Sequence, residues 1–535
     1  MQTLTFALLA LGVGWRAYTW ALGLPIWGDE AFVAVNLLVR DFAGMWDPLV
    51  YGQIAPLVFM WGELAVARIL GYSEQALHLL PCIAGIAGLI LYARFARRAF
   101  PPSAALLGVG LLAGAYFTAR HAVEVKPYSF DLLVAVIFTA LGWELLRHPR
   151  CLRRWARLVI FSGIAIWCSY PAMLVGGAVG LAVTVRLIKS SRDSRLGGQA
   201  LRSANALRQG ASARAWLGWA AFGLVLCANA FVMYRYYAKP HAEQSKAFFE
   251  LASWADTFPP VKQPWKLPQW FVHVHLGNMF AYPQGGAAPG SVATFFLFCV
   301  GAWRLWRKDR EFFILLIGPF LLTFIAAAMR GYPYGGSARV AQHVAPAICL
   351  LAGLGGSVLL RRFLRGRRLR VGLVACAIAL TFIPIGSMVR STVKPYKSLA
   401  VRKSQDAVRT IAEQTKPQDR WIVFNADRPV EWAPFLGDWR GVGGQFVFDT
   451  LRFAPEPIRP VIWSPDPDSI EPHPGGRIWL LVYYAQRDKV AFDDDQLAAY
   501  VAKVAARLGP PKEEVLPIEE KASKYEALKV YRFES

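Results

Sequence analysis

The chain carries about eleven long apolar runs, and these limit its possible folds more than any other feature. A helix needs about 20 apolar residues to cross roughly 30 Å of hydrocarbon, and several runs approach that length. The runs are Leu4–Leu24, Leu79–Ala96, Ala104–Tyr116, Phe130–Leu146, Leu158–Cys168, Ala172–Leu187, Trp216–Tyr234, Val292–Trp306, Phe312–Ala328, Val344–Leu360 and Val371–Met388. Hydrophobic residues make up 55% of the chain, more than a soluble protein can bury. The pattern therefore predicts a polytopic α-helical membrane protein.

The formal net charge of +23 arises entirely in residues 1–390, because residues 391–535 hold 21 acidic and 21 basic side chains. The excess lies in five clusters at connections between runs: Arg94/Arg97/Arg98, Arg147–Arg157, Arg186–Arg214, Arg304–Arg310 and Arg361–Arg370. Lys and Arg collect in short cytoplasmic loops of membrane proteins. We therefore interpret the clusters as topology signals and contacts for membrane lipids, and expect no nucleic-acid partner.

One further apolar run, Ala55–Leu70, contains Glu63 and Arg68. The basic clusters fall at every second connection only if this run does not cross, so we predict an amphipathic helix at the outer surface. The N-terminus is then cytoplasmic, and the C-terminal region is extracytoplasmic. We expect the protein to be integral to the plasma (inner) membrane. The first run carries Arg16 and lacks a basic start and a cleavage site, so we predict an uncleaved span.

Residues 391–535 have a soluble composition and predict a small α/β domain after a transmembrane domain at 1–390. Helical spacing covers Leu399–Gln414 and Gln496–Leu508. Strand patterns cover Trp421–Asn425, Val461–Trp463, Ile478–Tyr484 and Leu528–Phe533. All seven cysteines precede this region, so we expect no disulfide framework there.

Two adjacent carboxylates, Asp29 and Glu30, follow the first run. Placing both at a membrane surface costs desolvation and mutual repulsion. A general base or a cation site would explain them, and so would the capping of a following helix, where acids oppose the helix dipole. Both explanations hold if Glu30 caps the helix and Asp29 points toward a substrate.

Two other segments place basic residues on the predicted outer side, where the topology rule keeps them scarce. Residues 120–131 include Arg120 and Lys126, which suit an anionic headgroup, although a solvated turn with internal ion pairs is the alternative. Residues 330–339 end in Arg339. The His273–Val274–His275 sequence is only weak evidence for a metal site.

The order and spacing of these motifs resemble a known family, the polytopic glycosyltransferases of the GT-C fold. The nearest groups are the protein O-mannosyltransferases (glycosyltransferase family 39-like) and the bacterial aminoarabinose lipid A transferases. The resemblance covers roughly Met1–Leu360 and rests on these segments: Trp27–Ala31, Gln53–Leu57, Ser73–Glu74 before Leu79–Pro81, Glu124–Ser129, and Tyr332–Tyr334 with Arg339.

The resemblance implies transfer of a sugar from a polyprenyl-phosphate donor to a lipid, glycan or protein acceptor on the extracytoplasmic face. Asp29 would be the general base, and Glu30 would orient it or help to hold a cation. The implied substrate-binding residues are Gln53, Arg120, Glu124, Lys126, Tyr128, Tyr334, Arg339 and His343. Among them Arg120, Lys126 and Arg339 would clamp the lipid phosphate, and the two tyrosines would hydrogen-bond or stack on the sugar.

The chain departs from some relatives at the surface helix. Gln53 and Ala55 stand where those relatives carry a Lys beside the Pro, which leaves the phosphate ligands open. No cofactor is certain, and a divalent cation (Mg²⁺ or Mn²⁺) at Asp29 and Glu30 stays an alternative because the family has metal-dependent and metal-independent branches.

Two other classes of function compete with a glycosyltransferase. A transporter or lipid flippase would show inverted repeats and ionisable groups near the membrane midplane. In this chain the ionisable groups collect at the outer edges, which favours an enzyme at the surface. A non-catalytic scaffold for envelope assembly is the third hypothesis, and under it Asp29 would be replaceable.

Overall fold

The structure is a computed structural model. It describes residues 1–196, 202–243, 257–284, 289–397, 399–425, 444–454, 462–463, 467–471, 475–484, 494–514 and 527–534.

Helices dominate the N-terminal part. They are α1 (Gln2–Ala21), α2 (Gly28–Val39), α3 (Leu57–Leu70), α4 (Glu74–Ala99), α5 (Pro102–Ala113), α6 (Tyr116–Arg120), α7 (Tyr128–Arg147), α8 (Leu152–Cys168), α9 (Ala172–Leu196), α10 (Arg202–Met233), α11 (Leu267–Leu276), α12 (Pro289–Lys308), α13 (Arg310–Ala328), α14 (Ala345–Phe363) and α15 (Gly366–Val393).

Seven of the described helices are long and apolar enough to cross a membrane, namely α4, α7, α9, α10, α13, α14 and α15. The bent pair α5–α6 gives an eighth if it counts as one span. The other three predicted runs form α1, α8 and α12, which are helical but fall short of the same criterion. The predicted α-helical membrane fold is confirmed, and eleven crossings stay a prediction.

The helix bundle has two chemically different ends. Ion pairs and hydrogen bonds link helix termini at one end, where Arg154 lies 3.7 Å from Glu144 and Arg361 donates to Ser103 at 2.9 Å. We call this the basic end, since α4, α7 and α14 all finish there with arginines. The starts of α2, α4 and α7 lie at the other end. The predicted topology places the basic end in the cytoplasm, and the membrane face at each end stays a prediction.

Arg16 is fully buried in α1 and stabilises the 53° bend between α5 and α6. Its guanidinium donates to the Thr118 hydroxyl at 2.7 Å and to the Gly12 carbonyl at 2.9 Å. Longer bonds of 3.4 Å reach the carbonyls of Leu112 and Ala113, which end α5. A helix end inside a membrane protein needs such donors, because no water satisfies its carbonyls.

The helix α3 occupies the run that we predicted not to cross, and its 14 residues are too few for a span. Glu63 lies on its buried face, rather than on a polar face. At its C-terminus Arg68 is exposed, and Ile69 is 79% exposed. An exposed apolar side chain beside an arginine suits a helix that lies at the membrane surface.

The described residues of the C-terminal part form a sheet of order β2-β1-β3-β5-β4, together with three helices. The strands are β1 (Arg420–Asn425), β2 (Ile462–Trp463), β3 (Arg477–Tyr484), β4 (Lys512–Glu514) and β5 (Ala527–Glu534). The helices are α16 (Leu399–Gln414), α17 (Gly444–Phe453) and α18 (Asp494–Leu508). Strands β1, β2 and β3 are parallel, and β5 runs antiparallel to β3 and β4. The predicted α/β fold is confirmed, with β4 and α17 added.

Alternating side chains of the sheet enter two separate cores. Trp421 and Trp479 pack with α16 and α17 in a core that also includes Ala31 of α2. Ile422 and Leu480 pack with α18 on the opposite face. The sheet therefore stands on α16 and α17, and α17 packs directly on α2.

Candidate active site

The candidate site is built on the first turn of α2. Trp27 is extended (φ −122°, ψ 159°), and the helix begins immediately after it with Asp29 and Glu30 in the first turn. Carboxylates at this position interact favourably with the positive end of the helix dipole. Neighbouring helical residues point about 100° apart, so the two side chains enter different surroundings. Asp29 is 28% exposed, whereas Glu30 is 1% exposed.

Two basic side chains bind the Asp29 carboxylate. The Lys126 Nζ lies 3.2 Å from Oδ1, and an Arg339 N–H donates to Oδ2 at 2.7 Å. Burial would raise the pKa of Asp29, but the Lys126 ammonium and the Arg339 guanidinium outweigh it, so the pKa is lower than its ordinary value. Burial lowers the pKa of Lys126, and Asp29 opposes that change. Residues from three distant segments thus form one charged cluster.

Gln53 holds Lys126 in place. The Lys126 ammonium donates to the Gln53 side-chain carbonyl at 2.8 Å, and the Gln53 amide donates to the Tyr51 carbonyl at 3.1 Å. Tyr51 has a left-handed backbone (φ 60°, ψ 24°), which is rare and costly for a bulky residue. The predicted substrate-binding residue Gln53 therefore lies at the cluster, where it orients a cation.

Glu30 lies in a closed ionic network. Its carboxylate accepts from His78 Nε2 at 2.9 Å and from the Val125 backbone N–H at 3.1 Å. The Lys397 ammonium lies 2.6 Å from the second oxygen and has no exposed surface. The Glu30 side chain is only 1% exposed and cannot contact a substrate. Its contacts instead fix α2 against Val125 and Lys397.

Arg120 and Glu124 form a second network beside the first. Glu124 accepts from Arg120 Nε at 2.9 Å and from His121 Nδ1 at 2.7 Å. Burial would raise the pKa of Glu124, but His121 and Arg120 hold it far below its ordinary value. The Arg120 guanidinium stacks on Tyr396 at 4.4 Å. The recorded ion pair of Arg120 is therefore within this network, and its guanidinium also lies 5.8 Å from the Trp27 ring. Lys126 and Arg339 pair directly with Asp29.

Tyr128 lies at the edge of the Asp29 cluster. Its hydroxyl is within electrostatic range of Asp29 and Arg339, and its ring packs edge-on against His121 at 5.1 Å. The side chain is partly exposed. Tyr128 therefore lies between the Asp29 cluster and the network of Glu124 and His121.

Tyr334 and His343 occupy different surroundings. The Tyr334 hydroxyl lies 3.1 Å from His275 Nε2 within an aromatic cluster that includes Trp270. His343 Nε2 hydrogen-bonds Thr323 at 2.9 Å, and burial lowers the His343 pKa to about 3, so its ring is neutral. Within the described part of the chain, the recorded contacts of both residues are not with Asp29. Their roles as substrate-binding residues stay predictions.

The described residues contain no group of three or more His, Cys, Asp or Glu side chains placed to hold a metal ion. Asp29 and Glu30 engage basic side chains instead. His273 and His275 lie on the helix α11, which separates them, and His275 bonds Tyr334. A divalent cation stays a prediction for Asp29 and Glu30.

A cavity of about 510 Å³ opens between α6 and α15, away from Asp29. Its walls are mostly apolar and include Tyr116, Phe117 and Phe382, with Arg390 at its edge. Phe117 belongs to the short helix that ends at Arg120. The cavity therefore adjoins the second network.

Comparisons with known proteins agree with this architecture. Residues 55–196 match the family of dolichyl-phosphate-mannose-protein mannosyltransferases. A crystal structure of ArnT from Cupriavidus metallidurans in the apo state is similar at a TM-score of 0.53 and 15% identity, with 97% of each chain covered. The chain has an ArnT-like GT-C fold. ArnT bound to undecaprenyl phosphate matches equally well, at 14% identity, 97% of each chain and a TM-score of 0.53.

A further similarity is looser than the one to ArnT. The Archaeoglobus fulgidus oligosaccharyltransferase in the apo form matches at 14% identity over 84% of this chain and 64% of that one, with a TM-score of 0.46. No curated protein matches the sequence. The predicted resemblance to GT-C glycosyltransferases is confirmed.

The sequence motifs identified most of the Asp29 cluster but missed two of the residues around Glu30. His78 lies in the second turn of α4, and Lys397 lies in the connection between α15 and α16. Neither belongs to a recognisable motif. Their proximity to Glu30 depends on tertiary structure, although the two lysines close after the last span, Lys394 and Lys397, are a weak signal.

Proposed function

We propose that the protein transfers a sugar from a polyprenyl-phosphate donor to an acceptor hydroxyl at the end of the bundle opposite the basic end. The observation that carries this proposal is the partly exposed Asp29 carboxylate between Lys126 and Arg339. The three groups supply a base and two cations within one contact distance. This combination suits attack by a hydroxyl and departure of a phosphate.

The proposed step is a single displacement. Asp29 accepts the proton of the acceptor hydroxyl while that oxygen bonds to the anomeric carbon. The bond between the anomeric carbon and the phosphate oxygen breaks, and its electron pair leaves with the polyprenyl phosphate. Lys126 and Arg339 hold the resulting phosphate charge, so a strong general acid is unnecessary.

The same two cations make the basicity of Asp29 depend on donor binding. Without a donor they neutralise Asp29 and keep its pKa low, so the carboxylate is a weak base. A donor phosphate competes for these cations. As they turn toward it, Asp29 loses its partners and becomes more basic when the substrate is present. Binding thus activates the base.

The other networks support this geometry. Glu30 ties the start of α2 to the Val125 backbone, the residue before Lys126. Arg120 neutralises Glu124, which lies two residues before Lys126. The proposed polyprenyl-phosphate donor also agrees with the fold, since the similar ArnT structure contains undecaprenyl phosphate. The sidedness of the reaction follows the predicted topology, with the site on the extracytoplasmic face.

Turnover in proteoliposomes tests the proposal. The purified protein is supplied with a panel of undecaprenyl-phosphate monosaccharides and an envelope lipid extract, and the release of undecaprenyl phosphate is measured. We expect at least one donor to react with wild type and Asp29→Asn to lose roughly 10²- to 10⁴-fold in rate, the usual contribution of a general base.

The matched control is Asp41→Asn, which neutralises an exposed aspartate near the other end of α2. It should keep the wild-type rate. Equal turnover by Asp29→Asn would remove Asp29 from the mechanism. A wild-type protein inactive with every donor, but tolerant of Asp29→Asn in an envelope-assembly assay, would favour the scaffold hypothesis.

A further inference from the structure

Lys397 is a buried cation whose position the proposed reaction does not itself explain. Its side chain has no exposed surface, and its Nζ lies 2.6 Å from Glu30, 3.3 Å from His78 Nε2 and 3.5 Å from the Val123 carbonyl. Burying an ammonium carries a large desolvation penalty, and removal of one partner leaves an uncompensated charge. The ion pair between Lys397 and Glu30 therefore strongly favours one position of residue 397 relative to α2.

The neighbouring residue makes a second contact with the site. The Tyr396 ring lies under the Arg120 guanidinium at 4.4 Å, and Arg120 bonds Glu124 at 2.9 Å. Residues 396 and 397 thus touch both ionic networks that flank Lys126. This short connection joins the end of α15 to the start of α16.

The connection leads directly into the docked part of the C-terminal domain. Val408 of α16 and Phe448 of α17 are fully buried in the same core as Ala31, one residue after Glu30. Arg452 of α17 also donates to Glu74 at the start of α4, at 2.8 Å. The C-terminal domain therefore packs against α2 and pairs with the start of α4, while Lys397 pairs with Glu30 of α2.

We propose that Lys397 is a positioning residue that makes the geometry of Asp29 depend on docking of the C-terminal domain. Because Asp29 and Glu30 are adjacent on one helical turn, movement of Glu30 shifts Asp29 relative to Lys126 and Arg339. The kinetic part of this inference rests on the proposed function. The structural part, the order of α2, does not depend on it.

The test compares Lys397→Met with Lys394→Met in the full-length protein. Lys394 is exposed, lies three residues earlier and carries the same charge. With undecaprenyl-phosphate sugar as donor, Lys397→Met should lower kcat about 100-fold, as a misplacement of about 1 Å does, with little change in KM for the donor. Lys397→Arg should restore part of kcat, and Lys394→Met should match wild type.

Hydrogen exchange supplies a readout that is independent of turnover. In Lys397→Met the exchange of residues 28–39 should rise about tenfold or more, while exchange of residues 345–363 stays at the wild-type level. If Lys397→Met fails to fold, Arg452→Gln tests the same dependence from the domain side and should raise exchange in residues 28–39 and lower kcat.

The outcomes separate the two proposals. Wild-type kcat and wild-type exchange in Lys397→Met would overturn the positioning role. A wild-type protein that is inactive with every donor would overturn the proposed function, and the exchange of residues 28–39 would still decide the role of Lys397. Equal losses of kcat in Lys394→Met and Lys397→Met would also overturn the positioning role of Lys397, since removal of a positive charge alone would then explain the effect.

Discussion

Replacing Asp29 with Asn should separate lipid binding from chemistry. In the unloaded site the Asp29 carboxylate competes with a donor phosphate for Lys126 and Arg339. Asn has nearly the same shape but no charge, so it cannot hold both cations. The variant should therefore bind undecaprenyl phosphate more tightly while it loses turnover.

The magnitude follows from the two ion pairs. Their N···O distances are 3.2 and 2.7 Å, and Asp29 and Arg339 are 28% and 30% exposed. Ion pairs with solvent access contribute about 0.2–1 kcal/mol each. A phosphate that no longer displaces them gains about 0.4–2 kcal/mol, which corresponds to roughly 2- to 30-fold tighter binding.

Equilibrium binding of fluorescent undecaprenyl phosphate to the protein in nanodiscs measures this effect. The gain should shrink in high salt, because exposed charges are then screened. Arg330→Gln, which removes an exposed cation nine residues before Arg339, is the matched control and should leave the affinity unchanged. Weaker or unchanged binding by a folded Asp29→Asn protein would refute the competition between carboxylate and phosphate.

Three further predictions address structure, titration and stereochemistry. Arg16→Met removes the donors at the α5–α6 bend and should lower the free energy of unfolding by about 3 kcal/mol or more; Arg16→Lys should not restore it, because an ammonium lacks the guanidinium fork. Unfolding in SDS checks both variants, and a loss below about 0.5 kcal/mol in Arg16→Met would contradict the capping role. Burial, with Glu30 nearby, raises the pKa of Glu63 well above its ordinary value. At pH values above about 4.3, the ordinary pKa of a Glu, the folded protein therefore holds a proton at Glu63 that the unfolded chain loses. For this reason the contribution of Glu63 to the free energy of unfolding falls as the pH rises. Glu63→Gln removes that slope, so its melting temperature should exceed that of wild type by more at pH 8 than at pH 5; a constant difference would mean that Glu63 titrates normally. A single displacement inverts the anomeric carbon, so NMR of the first product should show the configuration opposite to the donor's, and retention would require a covalent intermediate.

The sequence predicted the parts of the site that break a general rule. Asp29 stands out as an acid beside a second acid at a membrane surface, and Lys126 and Arg339 are bases on the side where bases are scarce. Such exceptions are visible without coordinates because the expected composition of a membrane protein is known. The structure brings these three residues into contact.

Other features depend on tertiary structure and escape a linear reading. Lys397 and Glu30 are 367 positions apart, and no local pattern links them. The resemblance implies that Tyr334 binds the sugar, but the Tyr334 hydroxyl lies 3.1 Å from His275 Nε2, a contact that no local pattern indicates. The helix α17 was not among the predicted elements, although Val447, Phe448 and Leu451 share an amphipathic spacing.

A structure of the protein with undecaprenyl phosphate bound tests the central claim most directly. We predict phosphate oxygens within hydrogen-bonding distance of Lys126 Nζ and the Arg339 guanidinium, with Asp29 released from at least one of them. A phosphate bound instead at Arg390, in the cavity between α6 and α15, with both Asp29 ion pairs intact, would contradict the account.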